Sequence, residues 1–194
     1  MGDSKRENSV NLVVFGGGGV GKCTFTVYFA QHIFSEGYDP NEDTYRRQIM
    51  VDEQAVNVII LVDIHTLGKE EYFALRDQFI RCSEGFILVY SIVDKSSFNQ
   101  MSLVIRQIQT IKEVDHSPTM IIGNKCDLES ERQVRTYEGE MMAEKHKTAF
   151  FETSAMFGIN VDEAVHTLVK EVYTSRSINR ATKMVNKKKQ CVIC

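Results

Sequence analysis

Short apolar, β-branched runs alternate along this chain with longer stretches in which apolar residues return every third or fourth position. Val10 to Phe15 is such a run and leads directly into Gly16–Lys22 (GGGGVGK), the punctuation expected where a buried strand meets a loop, with a helix beginning near Gly21. After the polar residues Ser35 to Thr44, Gln48 to Val51 and Ala55 to Val62 read as two strands around the turn Asp52-Glu53-Gln54, a hairpin. A mixed stretch from Asp63 to Glu71 separates them from a helix through Arg81, and Gly85 to Val93 is a further buried strand. Met101, Val104, Ile105, Ile108 and Ile111 fall at helical spacing, Thr119 to Ile122 is a strand entered after Pro118, Tyr137 to Lys147 is a helix, and Ala149 to Phe151 forms the last strand. Asn160 with Glu163 predicts a capping pair, and Ala164, Val165, Leu168, Val169 and Val172 draw one apolar face on a final helix.

Strands alternating with helices predict an α/β fold: a six-stranded, mostly parallel sheet with one antiparallel edge hairpin and helices on both faces. Ligands in such sheets sit beyond the carboxyl ends of the strands, where the glycine loop and the loop after Ile122 gather. The expected organisation is an amino-terminal tail over 1–9, one domain over 10–175 and a basic tail over 176–194.

The 194 residues are 43% apolar and 25% charged with two prolines, which fits one globular domain and excludes a disordered or fibrous chain. Apolar runs fall short of the ~18 residues a membrane-spanning helix needs. Without a signal-peptide pattern, and with Arg6 where a myristoylation signal wants Ser or Thr, the chain is expected in the cytosol. Its five cysteines, Cys23, Cys82, Cys126, Cys191 and Cys194, are an odd set expected as reduced thiols. Net charge is −3, yet residues 175 to 194 hold Arg176, Arg180, Lys183, Lys187, Lys188 and Lys189 and no acid, leaving −9 on residues 1 to 174. An acidic body argues against nucleic acid as a partner, and a polycationic tail suits an anionic membrane surface.

Gly16, Gly17, Gly18, Gly19, Val20, Gly21 and Lys22 match a phosphate-binding pattern in which glycines let backbone N–H groups converge on phosphate oxygens and a lysine reaches the β- and γ-phosphates. Taken alone the segment equally describes a flexible glycine turn before a helix. Its next position, normally a Ser or Thr hydroxyl for Mg²⁺, is Cys23, a soft thiol. Thr24 does not replace it, because one helical residue turns a side chain by roughly 100°. About 100 residues further on, Asn124-Lys125-Cys126-Asp127 follows a strand. There the carboxylate of Asp127 can accept from both N1–H and the exocyclic amine of guanine, a pair that adenine lacks; the bland alternative is a strand-to-helix loop with a solvated aspartate. Glu152-Thr153-Ser154-Ala155 follows the last strand and offers the N–H groups of Ser154 and Ala155 to the guanine carbonyl.

In these motifs and their order the chain resembles a Ras-family small GTPase from about residue 10 to its carboxyl terminus. YDPNEDTY at Tyr38 to Tyr45 is similar to the family's first switch, and KEEYFALRDQFIRCSEGF from Lys69 to its second switch and following helix. The resemblance implies GTP/GDP and Mg²⁺ as ligands, with Phe34 against the base, Lys22 on the phosphates, Asp63 acting through a water on Mg²⁺ and Gly68 contacting the γ-phosphate. It implies protein effectors and regulators at Tyr38–Tyr45 and Asp63–Arg76, and a monomer. The departures fall on chemistry. Asn41 follows Pro40 where the family has a Mg²⁺-binding threonine, and Asp63 and Gly68 are separated by four residues instead of two. Lys69 stands in place of the glutamine that orients the attacking water, and an ammonium cannot accept that water's proton. Met156 replaces a lysine whose stem covers the base, which a thioether can also do.

His65, inside the altered loop, is read as an exposed histidine with no role, and no Ser-His-Asp or paired-carboxylate site stands out. Cys191-Val192-Ile193-Cys194 has the prenylation pattern, with lysines just upstream as the second membrane signal, so lipidation is expected at Cys191 and the protein on the cytoplasmic side of the cell membrane. Three functions are then open: a membrane-tethered switch with slow GTP hydrolysis, a nucleotide-binding interaction module that has lost hydrolysis, and an adenine-nucleotide enzyme, against which the NKCD segment argues.

Overall fold

The computed structural model describes residues 8–35, 43–63 and 73–190, with side chains for all of these except Phe73 and residues 179–190. In chain order the strands are β1 (Ser9–Gly16), β2 (Thr44–Val51), β3 (Gln54–Val62), β4 (Gly85–Ser91), β5 (Thr119–Asn124) and β6 (Ala149–Thr153). Between and after them lie α1 (Lys22–Gln31), α2 (Phe73–Cys82), α3 (Lys95–Asn99), α4 (Met101–Lys112), α5 (Thr136–His146) and α6 (Val161–Gln190). The sheet runs in the order β2-β3-β1-β4-β5-β6. Only β2 and β3 pair antiparallel, so the hairpin is an edge as expected.

Alternation along β1 builds the two halves of the core. Leu12 and Val14 face the side covered by Phe25 and Phe29 of α1 and by Val165, Leu168 and Val169 of α6. Val13 and Phe15 face the other side, covered by Ile80 of α2, Ile105 and Ile108 of α4 and Ala143 of α5. A strand buried on both faces loses its polar alternation, which is why β1, β4 and β5 read as continuous apolar runs. Truncating Leu12, Ile80, Ile105 or Leu168 to alanine removes about 2–5 kcal/mol of stability.

Several boundaries differ from the sequence reading. The hairpin turn is Asp52-Glu53 alone, with φ of 46° and 65°, and Gln54 already pairs with Val51. Two left-handed residues make the tight turn whose twist matches paired strands. The segment between β4 and α4 contains α3, capped by Asp94, whose carboxylate accepts from the N–H groups of Ser96 and Ser97. Asn160 adopts φ 57° and donates its side-chain amide to the Glu152 carbonyl, so it ties the start of α6 to β6.

The helix α6 also runs past residue 175, where the domain was expected to end. No glycine or proline interrupts it through Gln190. Arg176 belongs to the folded body: its Nε and Nη2 donate to the two carboxylate oxygens of Glu84 at 2.8 and 2.7 Å, and Nη2 also donates to the Ser9 carbonyl.

Candidate functional site

The glycine loop connects the carboxyl end of β1 to the amino end of α1. A Cβ on Gly16 would lie 2.3 Å from the Val89 carbonyl oxygen, and one on Gly21, at φ 93°, would lie 2.4 Å from Nδ2 of Asn124. Neither position tolerates a side chain, and the loop is drawn tight against β4 and β5. Val20 is buried, Gly18 and Gly19 are exposed, and α1 opens with no acidic residue in its first turn. Lys22 is only 7% exposed and donates Nζ to the carbonyls of Gly16 and Gly17 at 3.0 and 2.8 Å. Burial pulls its ammonium below the usual lysine value, against the opposing pull of Cys23 and Asp63. A desolvated cation beside convergent N–H groups at a helix amino terminus is a site that gains by taking up an anion.

Asn124, 2% exposed, organises the other half of the site. Its Nδ2 donates to the Val20 carbonyl at 3.0 Å, and its Oδ1 accepts from Thr153 Oγ1 at 3.1 Å. Glycine loop, NKCD segment and ETSA segment are therefore joined through one side chain. Beside this junction opens a cleft of about 310 Å³ lined by Gly21, Thr24, Phe34, Asn124, Lys125, Asp127, Leu128, Ala155 and Met156. Thr24, on α1, thus faces the cleft. Lys125 takes φ 66°, and the Cys126 N–H donates to the Thr153 carbonyl. Ser154 is buried, its N–H donates to the Ile159 carbonyl at 3.2 Å, and its Oγ accepts from the Phe157 N–H. Of the expected pair, Ala155 is the one on the cleft wall.

On the phosphate side, Asp63 ends the β3 run, 3% exposed, and its N–H donates to the Val14 carbonyl. Its Oδ2 accepts from Nε and Nη2 of Arg76 at 3.1 and 3.0 Å. Cys23 is half-buried, and burial pushes its thiol up against the opposing effect of Lys22, so it stays protonated at neutral pH. Among the described residues no three His, Cys, Asp or Glu converge as a self-sufficient metal site. That donor set fits Mg²⁺ held by one carboxylate together with phosphate and water oxygens, and the Asp63 carboxylate fits it better than the Cys23 thiol. Asn41, His65, Gly68, Lys69 and Cys191 lie outside the described residues. Of the two expected partner segments, Tyr45 is buried in β2, and Asp63 and Arg76 are buried against each other, whereas Asp43 and Ala74 are exposed.

Sequence reasoning missed Thr153 as the second partner of Asn124, Arg76 as the partner of Asp63, and Tyr28, whose hydroxyl fills the space that a Cβ on Gly158 would need. The first carried a signal, since a threonine at the end of a strand beside a buried asparagine is a natural hydroxyl donor. The other two contacts are tertiary and carried none.

A sequence model of the Ras family matches residues 11–174. The chain is similar to Ras-like protein 1 of Saccharomyces cerevisiae, 43% identical over 173 residues that cover 89% of this chain and 55% of that protein. It is also similar to Ras-like protein RAS2 of Hydra vulgaris, 40% identical over 197 residues that cover 99% of this chain and 98% of that protein. It thus spans about half the yeast relative and nearly all of the other.

Proposed function

The chain belongs to the Ras family of small GTPases, and on that premise we propose that it is a membrane-tethered guanine-nucleotide switch that hydrolyses GTP slowly and works as a monomer with protein effectors and regulators. The observation that carries this reading is the bridge made by Asn124, which sets the glycine loop beside the cleft lined by Asp127. In it Asp127 accepts the paired donors of guanine, Phe34, Lys125 and Met156 enclose the base, and the N–H groups of the loop with Lys22 hold the phosphates.

GTP and water become GDP and phosphate: the water oxygen bonds to the γ-phosphorus while its bond to the β-bridging oxygen breaks. Catalysis of this kind is positioning and charge stabilisation. Lys22 opposes negative charge on the phosphate oxygens, and bound Mg²⁺, held through Asp63, would neutralise more of it. The ammonium of Lys69 cannot accept the water's proton, so the step is expected to be slow. A second reading, a nucleotide-binding module without hydrolysis, is favoured by the protonated thiol of Cys23 at the position where the family supplies a hydroxyl.

Competition against labelled GDP decides the ligand: GTP is expected to displace it and ATP to fail by a factor of up to ~10⁴, a preference lost in Asp127→Asn. Equal displacement by ATP refutes the guanine assignment. Single-turnover GTP assays with and without Mg²⁺ then separate slow hydrolysis from none. For the tether, a lipid on Cys191 and the charges of Lys187, Lys188 and Lys189 act together, since one chain binds weakly and each basic residue adds about 1 kcal/mol at an anionic surface. Cys191→Ser is expected to release the protein from membranes; persistence there, with loss in Cys194→Ser, would place the anchor on the second cysteine.

A further inference from the structure

Asp63 and Arg76 are held by different parts of the fold. Asp63 is fixed to the central strand through its N–H on the Val14 carbonyl, whereas Arg76 is carried by α2. Their side chains are 4% and 6% exposed, and the Arg76 guanidinium lies 5.8 Å from the centroid of the Phe15 ring, on the apolar floor of β1. Its Nε and Nη2 donate to the same oxygen, Oδ2. Two charge-assisted donors on one oxygen hold that oxygen toward α2. The charges of Asp63 and Arg76 both reach the ammonium of Lys22. A buried ion pair contributes little net stability over apolar residues of similar volume, so its occurrence here calls for another use.

We propose that Arg76 is a positioning residue for the divalent cation: it orients Asp63 toward the cation's water shell and makes cation binding and the placement of α2 a single equilibrium. The inference rests on the guanine-nucleotide reading above. Arg76 acts only through Asp63, as the outer partners of metal ligands do. The coupling is reciprocal: a protein that displaces α2 weakens the cation, and withdrawal of the cation loosens α2.

The test uses the full chain and measures release of a fluorescent GDP analogue in EDTA and across a Mg²⁺ titration. Arg76→Met is expected to raise the Mg²⁺ midpoint about 10–100-fold while the release rate in EDTA stays the same. Arg76→Lys should recover part of the shift. Amide exchange in α2 should slow when Mg²⁺ is added to the GDP-bound wild type, and fail to slow in Arg76→Met. A structural role alone would change the EDTA rate and leave the ratio of the two conditions intact, which overturns the proposal, as does an unchanged midpoint. Should the single variant not fold, Asp63→Asn with Arg76→Met removes both buried charges. Mg²⁺ should then leave exchange in α2 unaltered, and slowing equal to wild type overturns the coupling. A wild type that binds no GDP even in Mg²⁺ refutes the functional reading itself, whereas normal GDP binding with an unshifted midpoint refutes this inference alone.

Discussion

Thr153 donates its hydroxyl to Oδ1 of Asn124 at 3.1 Å, and both side chains are buried where β5 and β6 end side by side. The bond holds the asparagine in the orientation that delivers its amide to the glycine loop. Replacing Thr153 with valine keeps the shape and leaves a buried acceptor unpaired, at a cost of about 1–3 kcal/mol. Urea unfolding is expected to show that loss, and labelled GDP to leave faster, because the loop is no longer positioned from below. Unchanged release with lowered stability would mean that Asn124 keeps its orientation without the hydroxyl.

Cys23→Ser is expected to slow GDP release in the presence of Mg²⁺ and to leave release in EDTA as it was. A hydroxyl is a hard ligand that needs no deprotonation, whereas burial keeps the thiol protonated. Equal rates for the two proteins in Mg²⁺ would show that the thiol is not what limits cation retention.

His146 predicts a pH dependence of stability. Burial, followed by Lys145 and Arg106, holds its imidazole below 6.5, and its Nε2 lies 3.3 Å from Ser102 Oγ. Because the folded state binds the proton less readily than the unfolded chain, the contribution is fully present above pH 6.5 and is lost as pH falls below it. Melting temperatures between pH 7 and 5.5 should fall less steeply in His146→Gln than in the wild type. Parallel profiles would rule out this histidine as the source.

The apolar strands and the glycine loop were legible because each is a local pattern: a β-branched run, then residues without side chains. The turn at Asp52-Glu53 was misjudged by one residue, since Gln54 is as polar as its neighbours and nothing in the letters says that Asp52 and Glu53 take positive φ. The five-residue α3 is too short for periodicity, and only Asp94 ahead of two serines announces it. Beyond Val172 the apolar stripe of α6 thins while the helix continues, and its charged residues imitate a tail. The pairing of Asp63 with Arg76 depends on how α2 lies across β1, which no spacing in the sequence encodes.

Arg176 tests where the domain ends. Its contacts with Glu84 and with the Ser9 carbonyl tie α6 to the starts of β1 and β4. Arg176→Ala is expected to lower stability by about 1–2 kcal/mol, since hydrogen bonds to charged groups are worth more than neutral ones but these are only partly buried. A chain cut after Ser175 should lose at least as much by thermal melting. No loss in either would place the boundary at residue 175.

The sheet order has a consequence for how the protein is made. β1 leaves the ribosome first, yet it ends up between β3 and β4, with a parallel neighbour on each side. From the end of β1 at Gly16 to the end of β4 at Ser91 is 75 residues, which at ~5–20 residues per second takes roughly 4–15 s. β3, its partner on one side, is complete by Val62, but until β4 has emerged the other hydrogen-bonding edge of β1 stays open. Newborn chains are thus most prone to aggregation before residue 91, and a stall in translation there exposes the future centre of the molecule to its surroundings.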